Sequence, residues 1–160
     1  MFKYILYILP LVLLVSCNSN VVFSDNKSIP EDEGWAKKNK LAFEVDIQDT
    51  ESRHDVYINV RNADTYMYRN LFMFLETKYP DGNIKIDTLE CLLADEKGNW
   101  LGSGAGDLWD NSILFKKNTK FPVKGKYIFT FEQAMRYGDQ AAIDPLPFIL
   151  DVGITIEKSK

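Results

Sequence analysis

The chain has 160 residues, with 19 basic and 23 acidic side chains, one histidine and two cysteines. Its net charge of −4, with no Lys or Arg run longer than a pair, argues against a nucleic-acid partner, whose affinity comes mainly from neutralised phosphates. So few histidines and cysteines leave a histidine-based triad, a two-histidine metal site and a zinc cluster short of members, so neither cofactor nor metal is expected.

Lys3, a 12-residue apolar run from Tyr4 to Val15, and the small Ser16 before Cys17 have the layout of a signal peptide. The run is too short to span a bilayer, since a hydrocarbon core of about 30 Å needs roughly 20 apolar residues. Leu14-Val15-Ser16-Cys17 has the lipobox pattern of bacterial lipoproteins, so residues 1–16 are predicted to be removed and Cys17 to carry the lipid. Two or more acyl chains hold a protein stably where one holds it marginally, which predicts membrane attachment without a spanning segment. The mature chain would have 144 residues, the size of one domain, and with Lys3 gone its 18 basic and 23 acidic residues give −5. Cys91 is then a lone thiol, and its neighbours Leu89, Leu92 and Leu93 place it in the core.

Residues 17–34 are polar and acidic and read as the lipidated N-terminus and a tether, with Val21-Val22-Phe23 able to dock as a short edge strand. Residues 35–160 read as one β-domain. Leu41, Phe43, Val45 and Ile47 alternate with polar positions, as do Val56, Ile58 and Val60. Leu71–Leu75 is apolar on both faces, as in a central strand between two layers, and stops at the turn Tyr79-Pro80-Asp81-Gly82-Asn83. Leu89–Leu93 leads into Asp95-Glu96-Lys97-Gly98-Asn99, which has hairpin-turn chemistry.

Trp100–Asp110 is glycine-rich and reads as a loop, Ile113–Phe115 as extended, and Glu132–Tyr137 as a single helical turn. Tyr127, Phe129 and Phe131 share one face, and Phe148, Leu150, Val152, Ile154 and Ile156 close the chain on an alternating pattern. About eight strands with short connections and no βαβ spacing predict an all-β antiparallel two-sheet sandwich, immunoglobulin-like or jelly-roll.

Few residues suggest chemistry. His54 lies at a polar strand start and is expected in solvent. Asp107 and Asp110 stand beside Trp109, and paired acids serve sugar hydrolysis. Gly102-Ser103-Gly104-Ala105-Gly106-Asp107 lacks the Gly-Lys-Ser/Thr of a phosphate cradle. Tyr66, Tyr68, Trp100 and Trp109 are not explained by alternation, so with Arg69, Asp107, Asp110 and Arg136 they are the candidate interaction residues.

These segments carry a resemblance. Arg61 with Tyr66-Met67-Tyr68-Arg69-Asn70-Leu71-Phe72, Asp87-Thr88 with Leu92-Leu93-Ala94-Asp95, Gly98-Asn99-Trp100-Leu101-Gly102, Gly104-Ala105-Gly106-Asp107-Leu108-Trp109-Asp110, and Phe131-Glu132-Gln133-Ala134-Met135-Arg136 resemble the gliding motility-associated lipoprotein GldH family of Bacteroidetes. The resemblance runs from Cys17 to about Glu157. It implies an envelope lipoprotein at the outer membrane, associated with the gliding machinery and its linked protein secretion system, with no catalytic residue, cofactor or ligand. The absence of an acidic run directly after Cys17 points to the periplasmic face of that membrane. The residues themselves support two readings: a non-catalytic interaction protein contacting other envelope proteins, or a glycan-binding or glycan-modifying lipoprotein built on Trp100, Trp109, Asp107 and Asp110.

Overall fold

The structure is a computed structural model and describes residues 20–139 and 142–160. Residues 1–16, the lipobox and Cys17 lie outside the described residues. Alternation of period two places every second side chain of a strand on one face. Among the described residues nine strands follow from it: β1 (Val21–Ser28), β2 (Leu41–Ile47), β3 (His54–Ala63), β4 (Asn70–Lys78), β5 (Ile84–Leu92), β6 (Ser103–Ala105), β7 (Leu108–Thr119), β8 (Gly125–Gln133) and β9 (Ile149–Lys158). A five-stranded sheet has the order β1-β9-β3-β7-β6, and a four-stranded sheet the order β2-β8-β4-β5, every pair antiparallel. The fold is the expected all-β sandwich.

The inward rows meet in one core. The five-stranded sheet contributes Val56, Ile58, Val60, Val152, Ile154 and Ile156, and the four-stranded sheet Phe43, Val45, Leu71, Met73, Leu75, Tyr127, Phe129 and Phe131, all buried. Burying one such side chain is worth roughly 1.5–3 kcal/mol. Cys91 lies among them, and burial pushes its thiol up to about 12, which keeps it protonated and unreactive at neutral pH.

Strand direction sorts the connections into two ends. The base carries segments 48–53, 79–83 and 120–124 together with Asn20 and the C-terminal residues; the tip carries 29–40, 64–69, 93–102, 106–107 and the described parts of 134–148. The base is knitted by the Lys158 amide donating to the Asn20 carbonyl (2.8 Å) and the Ser159 amide donating to the Arg53 carbonyl (2.9 Å). Asp49 accepts from the Ser52 amide and hydroxyl and from Lys158 Nζ, which holds its carboxyl well below the usual carboxylate range.

Several expectations are corrected. The predicted tether is, from Val21 to Ser28, an eight-residue edge strand paired with β9, and Ile29, Gly34 and Trp35 beyond it are buried. Its outward residues bury little, so alternation could not reveal it. The Trp100–Asp110 loop contains β6 and the start of β7, and Glu132–Tyr137 makes no helical turn: β8 runs to Gln133 and no helix occurs among the described residues. The outer face of β4 is uncovered, which leaves Phe72 and Phe74 half-buried at the surface.

His54 is not in solvent. It is 1% exposed, edge-on to the Phe121 ring at 5.4 Å, and its Nδ1 has no hydrogen-bond partner. Burial lowers its pKa, with nearby Lys158 acting in the same direction and Asp49 opposing it. Because the folded pKa lies below the unfolded value of 6.5, the unfolded chain binds more protons as pH falls past about 6.5, and stability declines there. Urea unfolding of the wild type should therefore show a midpoint falling between pH 7.5 and 5.5. The slope should be below the ~1.4 kcal/mol per pH unit of a whole proton, and His54→Phe should flatten it. Asp49 and Asp55, both held low, lose their contribution only near and below their unfolded value of 3.8, so they leave this window undisturbed.

Candidate functional site

Glycine governs the Trp100–Asp110 segment. β6 lies against β7, with Gly104 opposite Trp109, and a Cβ on Gly104 would come within 2.5 Å of the indole. Trp109 therefore seats on a bare backbone, beside Trp100 at a ring separation of 6.4 Å, and both indoles are half-buried. The Trp109 Nε1 is buried without a partner.

Adjacent strand residues point to opposite faces. Trp109 thus turns inward, opposite the buried Asn62, while Asp110 turns to the outer face of the five-stranded sheet. There Asp110 receives Nε (2.7 Å) and Nη2 (3.1 Å) of Arg61, whose Nη1 reaches Asp151 at 3.5 Å; these bonds raise the Arg61 pKa. Asp107 is exposed in the β6–β7 turn, its carbonyl accepting from the Asp64 amide (2.8 Å). The two acids and two indoles singled out for a sugar site are thus not assembled on one open surface.

Asp110 instead belongs to a polar ladder across the five-stranded sheet. The Ser28 hydroxyl donates to Asp151 (2.6 Å), and the Asn59 amide donates to Thr155 Oγ1 (2.8 Å) and Asn26 Oδ1 (3.4 Å). Gly153 lies beneath the Asn26 amide, where a Cβ would collide with it. The ladder lines a shallow depression of about 340 Å³. Its groups largely satisfy one another.

The remaining candidates meet at the tip. Tyr66 is buried and its hydroxyl donates to the Asn70 carbonyl (2.9 Å); burial holds its pKa far above the ordinary tyrosine value. It supports Tyr68, edge-on at 5.5 Å, and Tyr68 in turn lies 6.4 Å from Tyr137. Met67 (71% exposed) and Tyr137 (67%) stand in solvent, as do the side chains of Arg69 and Arg136. Among the described residues no carboxylate lies within ion-pairing distance of Arg69 or Arg136, whereas Arg61 is paired.

Arg136 also joins the tip to the outer face of the four-stranded sheet. With Phe72, Phe74, Thr88 and Ala134 it lines a shallow depression of about 380 Å³. A second depression, of about 330 Å³, lies on the other side of Phe74 between Lys40, Glu76, Ile86 and Glu132. The surface therefore runs from Met67 and Tyr137 through Arg136 to Phe72, Phe74 and Ile86, with the Lys40–Glu132 ion pair (2.8 Å) at its rim. Sequence reasoning missed Tyr137 and Ile86. Phe72 and Phe74 were legible as the second apolar face of Leu71–Leu75, but were read as covered. Among the described residues no group of three His, Cys, Asp or Glu side chains is placed to hold a metal.

Comparison with known proteins covers the same span as the sandwich. The family model of the GldH lipoprotein matches residues 21–156. The chain is 40% identical over 159 residues to the gliding motility lipoprotein GldH homolog of Christiangramia forsetii, covering 99% of this chain and 96% of that protein. It is 32% identical over 152 residues to the gliding motility lipoprotein GldH of Flavobacterium johnsoniae, covering 94% and 93%. No solved structure matches the chain.

The glycine seat of Trp109 is open to a direct test. Gly104→Val should lift β6 from β7 and cost about 1–3 kcal/mol, as overpacking does, with tryptophan emission moving to longer wavelength. Unchanged emission and stability would show that β6 has room for a side chain.

Proposed function

The chain belongs to the GldH lipoprotein family, and we propose that it is a non-catalytic envelope lipoprotein that serves gliding motility and the protein secretion linked to it by contacting other envelope proteins. Its covalent lipid is carried by Cys17, and its place is the periplasmic face of the outer membrane, since no acidic run directly follows that cysteine. The family match and the names of both relatives support the motility assignment.

The observation that carries the contact mechanism is the patch of exposed Met67, Arg69, Arg136 and Tyr137 around the half-buried Tyr68, and its continuation onto Phe72 and Phe74. Tyrosine, arginine and methionine are the side chains enriched where protein interfaces concentrate their binding energy, because each buries a large area and retains a polar or polarizable end. The patch lies at the tip, whereas Asn20, only three residues after Cys17, lies at the base. A lipid on Cys17 therefore leaves the patch facing away from the membrane, open to a partner.

Crosslinking in the native bacterium, followed by identification of co-purified proteins, tests the contact. Motility or secretion components should be recovered with the native protein and fall about tenfold or more with Met67→Ala, Arg136→Glu, Tyr137→Ala combined, at unchanged thermal stability. Undiminished recovery would remove the tip from the interface. Separately, Cys17→Ser should abolish incorporation of radiolabelled fatty acid; label entering that variant would contradict the anchor.

A further inference from the structure

Lysines that are scattered in the sequence are collected by the fold at the base. Segment 116–126 holds five of them, Lys116, Lys117, Lys120, Lys124 and Lys126, and no carboxylate. Arg53, Lys158 and Lys160 join them from β2–β3 and the C-terminus. Taking each end as its connections plus two flanking strand residues, the base has eight basic and six acidic side chains, while the tip has seven and ten. The base is thus the positive end of a negative protein.

Three of the six base acids are committed internally. Asp49 binds Lys158 and Ser52, Glu51 pairs with Lys120, and Asp55 accepts the Ser159 hydroxyl and the Asn118 amide. Lys117 and Lys124 have no carboxylate within 4 Å among the described residues and are exposed. The loop presenting Lys120 and Lys124 is pinned, because Phe121 is buried between them and the Tyr127 hydroxyl donates to the Val123 carbonyl (2.9 Å).

Chain length supplies the second argument. Cys17 to Asn20 is three residues, which reach at most about 10 Å when fully extended. That is comparable with the Debye length of about 8 Å at physiological salt, so the anchor holds the base at the edge of the headgroup field. Resting on the reading of Cys17 as the anchor, we propose that the base is a membrane-docking surface. In this reading the unpaired Lys117 and Lys124, with Arg53 and Lys160 beside them, seat on the anionic phospholipids of the membrane that holds the lipid anchor. The exposed Val21 and Val22, next to the anchor, lie on the same end.

Amide hydrogen exchange on the mature acylated protein tests this, in vesicles of phosphatidylcholine alone and in vesicles with about one third phosphatidylglycerol. Segments 117–124 and 49–54 should exchange about fivefold or more slowly in the anionic vesicles only. The difference should vanish in about 0.5 M sodium chloride, where the Debye length falls to about 4 Å, and in the combined Lys117→Glu, Lys124→Glu variant. Segment 95–99 at the tip should not respond. Equal exchange of the base in both vesicles, or protection that survives salt and charge reversal as a protein partner's would, overturns the proposal. The mass of the N-terminal peptide reports acylation of Cys17 independently, so a failed anchor is distinguished from a failed docking surface.

Discussion

Burial of the two inward rows against each other is the constraint from which the rest follows. Phe43, Phe129 and Phe131 on one sheet and Ile58, Val152 and Ile154 on the other leave no freedom of register, because a one-residue slip would send a whole row into solvent. Register in turn decides what each outer face displays. On the five-stranded sheet the outward positions of β3 and β9 are Tyr57, Asn59, Arg61, Asp151 and Thr155, a hydrogen-bonded ladder suited to water. On the four-stranded sheet the same rule exposes Phe72, Phe74 and Ile86. A solvated sheet face is normally polar. The molecule departs from that on one side only, and there the departure meets the aromatic tip.

Legibility in the sequence followed the strength of that burial. Strands β2, β3, β8 and β9 each bury a full row, and their alternation was readable at once. Edge strand β1 buries almost nothing, so its eight residues resembled a tether. The β6–β7 hairpin was hidden for two reasons. Glycines at 102, 104 and 106 carry no side chain to alternate, and the inward position of Asn111 is polar, held by Asn62 Oδ1 (3.0 Å) and the Val60 carbonyl (3.3 Å). His54 was misplaced because its cover, Phe121, arrives from a segment 67 positions away, which no local pattern encodes.

The candidate residues show the same limit. Tyr66 and Tyr68 were selected because alternation left them unexplained, and Arg136 was added to them as an arginine; the fold brings all three to one end from the β3–β4 and β8–β9 connections. Trp109 was selected on the same ground and Asp110 as one of a pair of acids beside it, and the two are separated by the simplest property of a strand, that neighbours face opposite ways. A cluster in sequence is therefore a cluster in space only when the local structure is not extended, and in a protein built of strands the more reliable pairs are those at even spacing, such as Phe72 and Phe74.

With Cys17 as the anchor, the folded domain sets how far the tip stands from the lipid. Strands β3 and β9 have ten residues each, which at about 3.3 Å per residue separates base from tip by roughly 33 Å. A flexible linker of 17 residues would have let the domain sample many orientations; three residues ending in a paired strand permit few. That restriction raises the effective concentration of the tip at one height above the membrane and lowers it elsewhere. Under the proposed contact mechanism, a partner of the Tyr68–Arg136–Phe74 surface would have to present its complementary patch some tens of ångströms from the bilayer, which a protein with a folded body can do and a short lipid-proximal loop cannot.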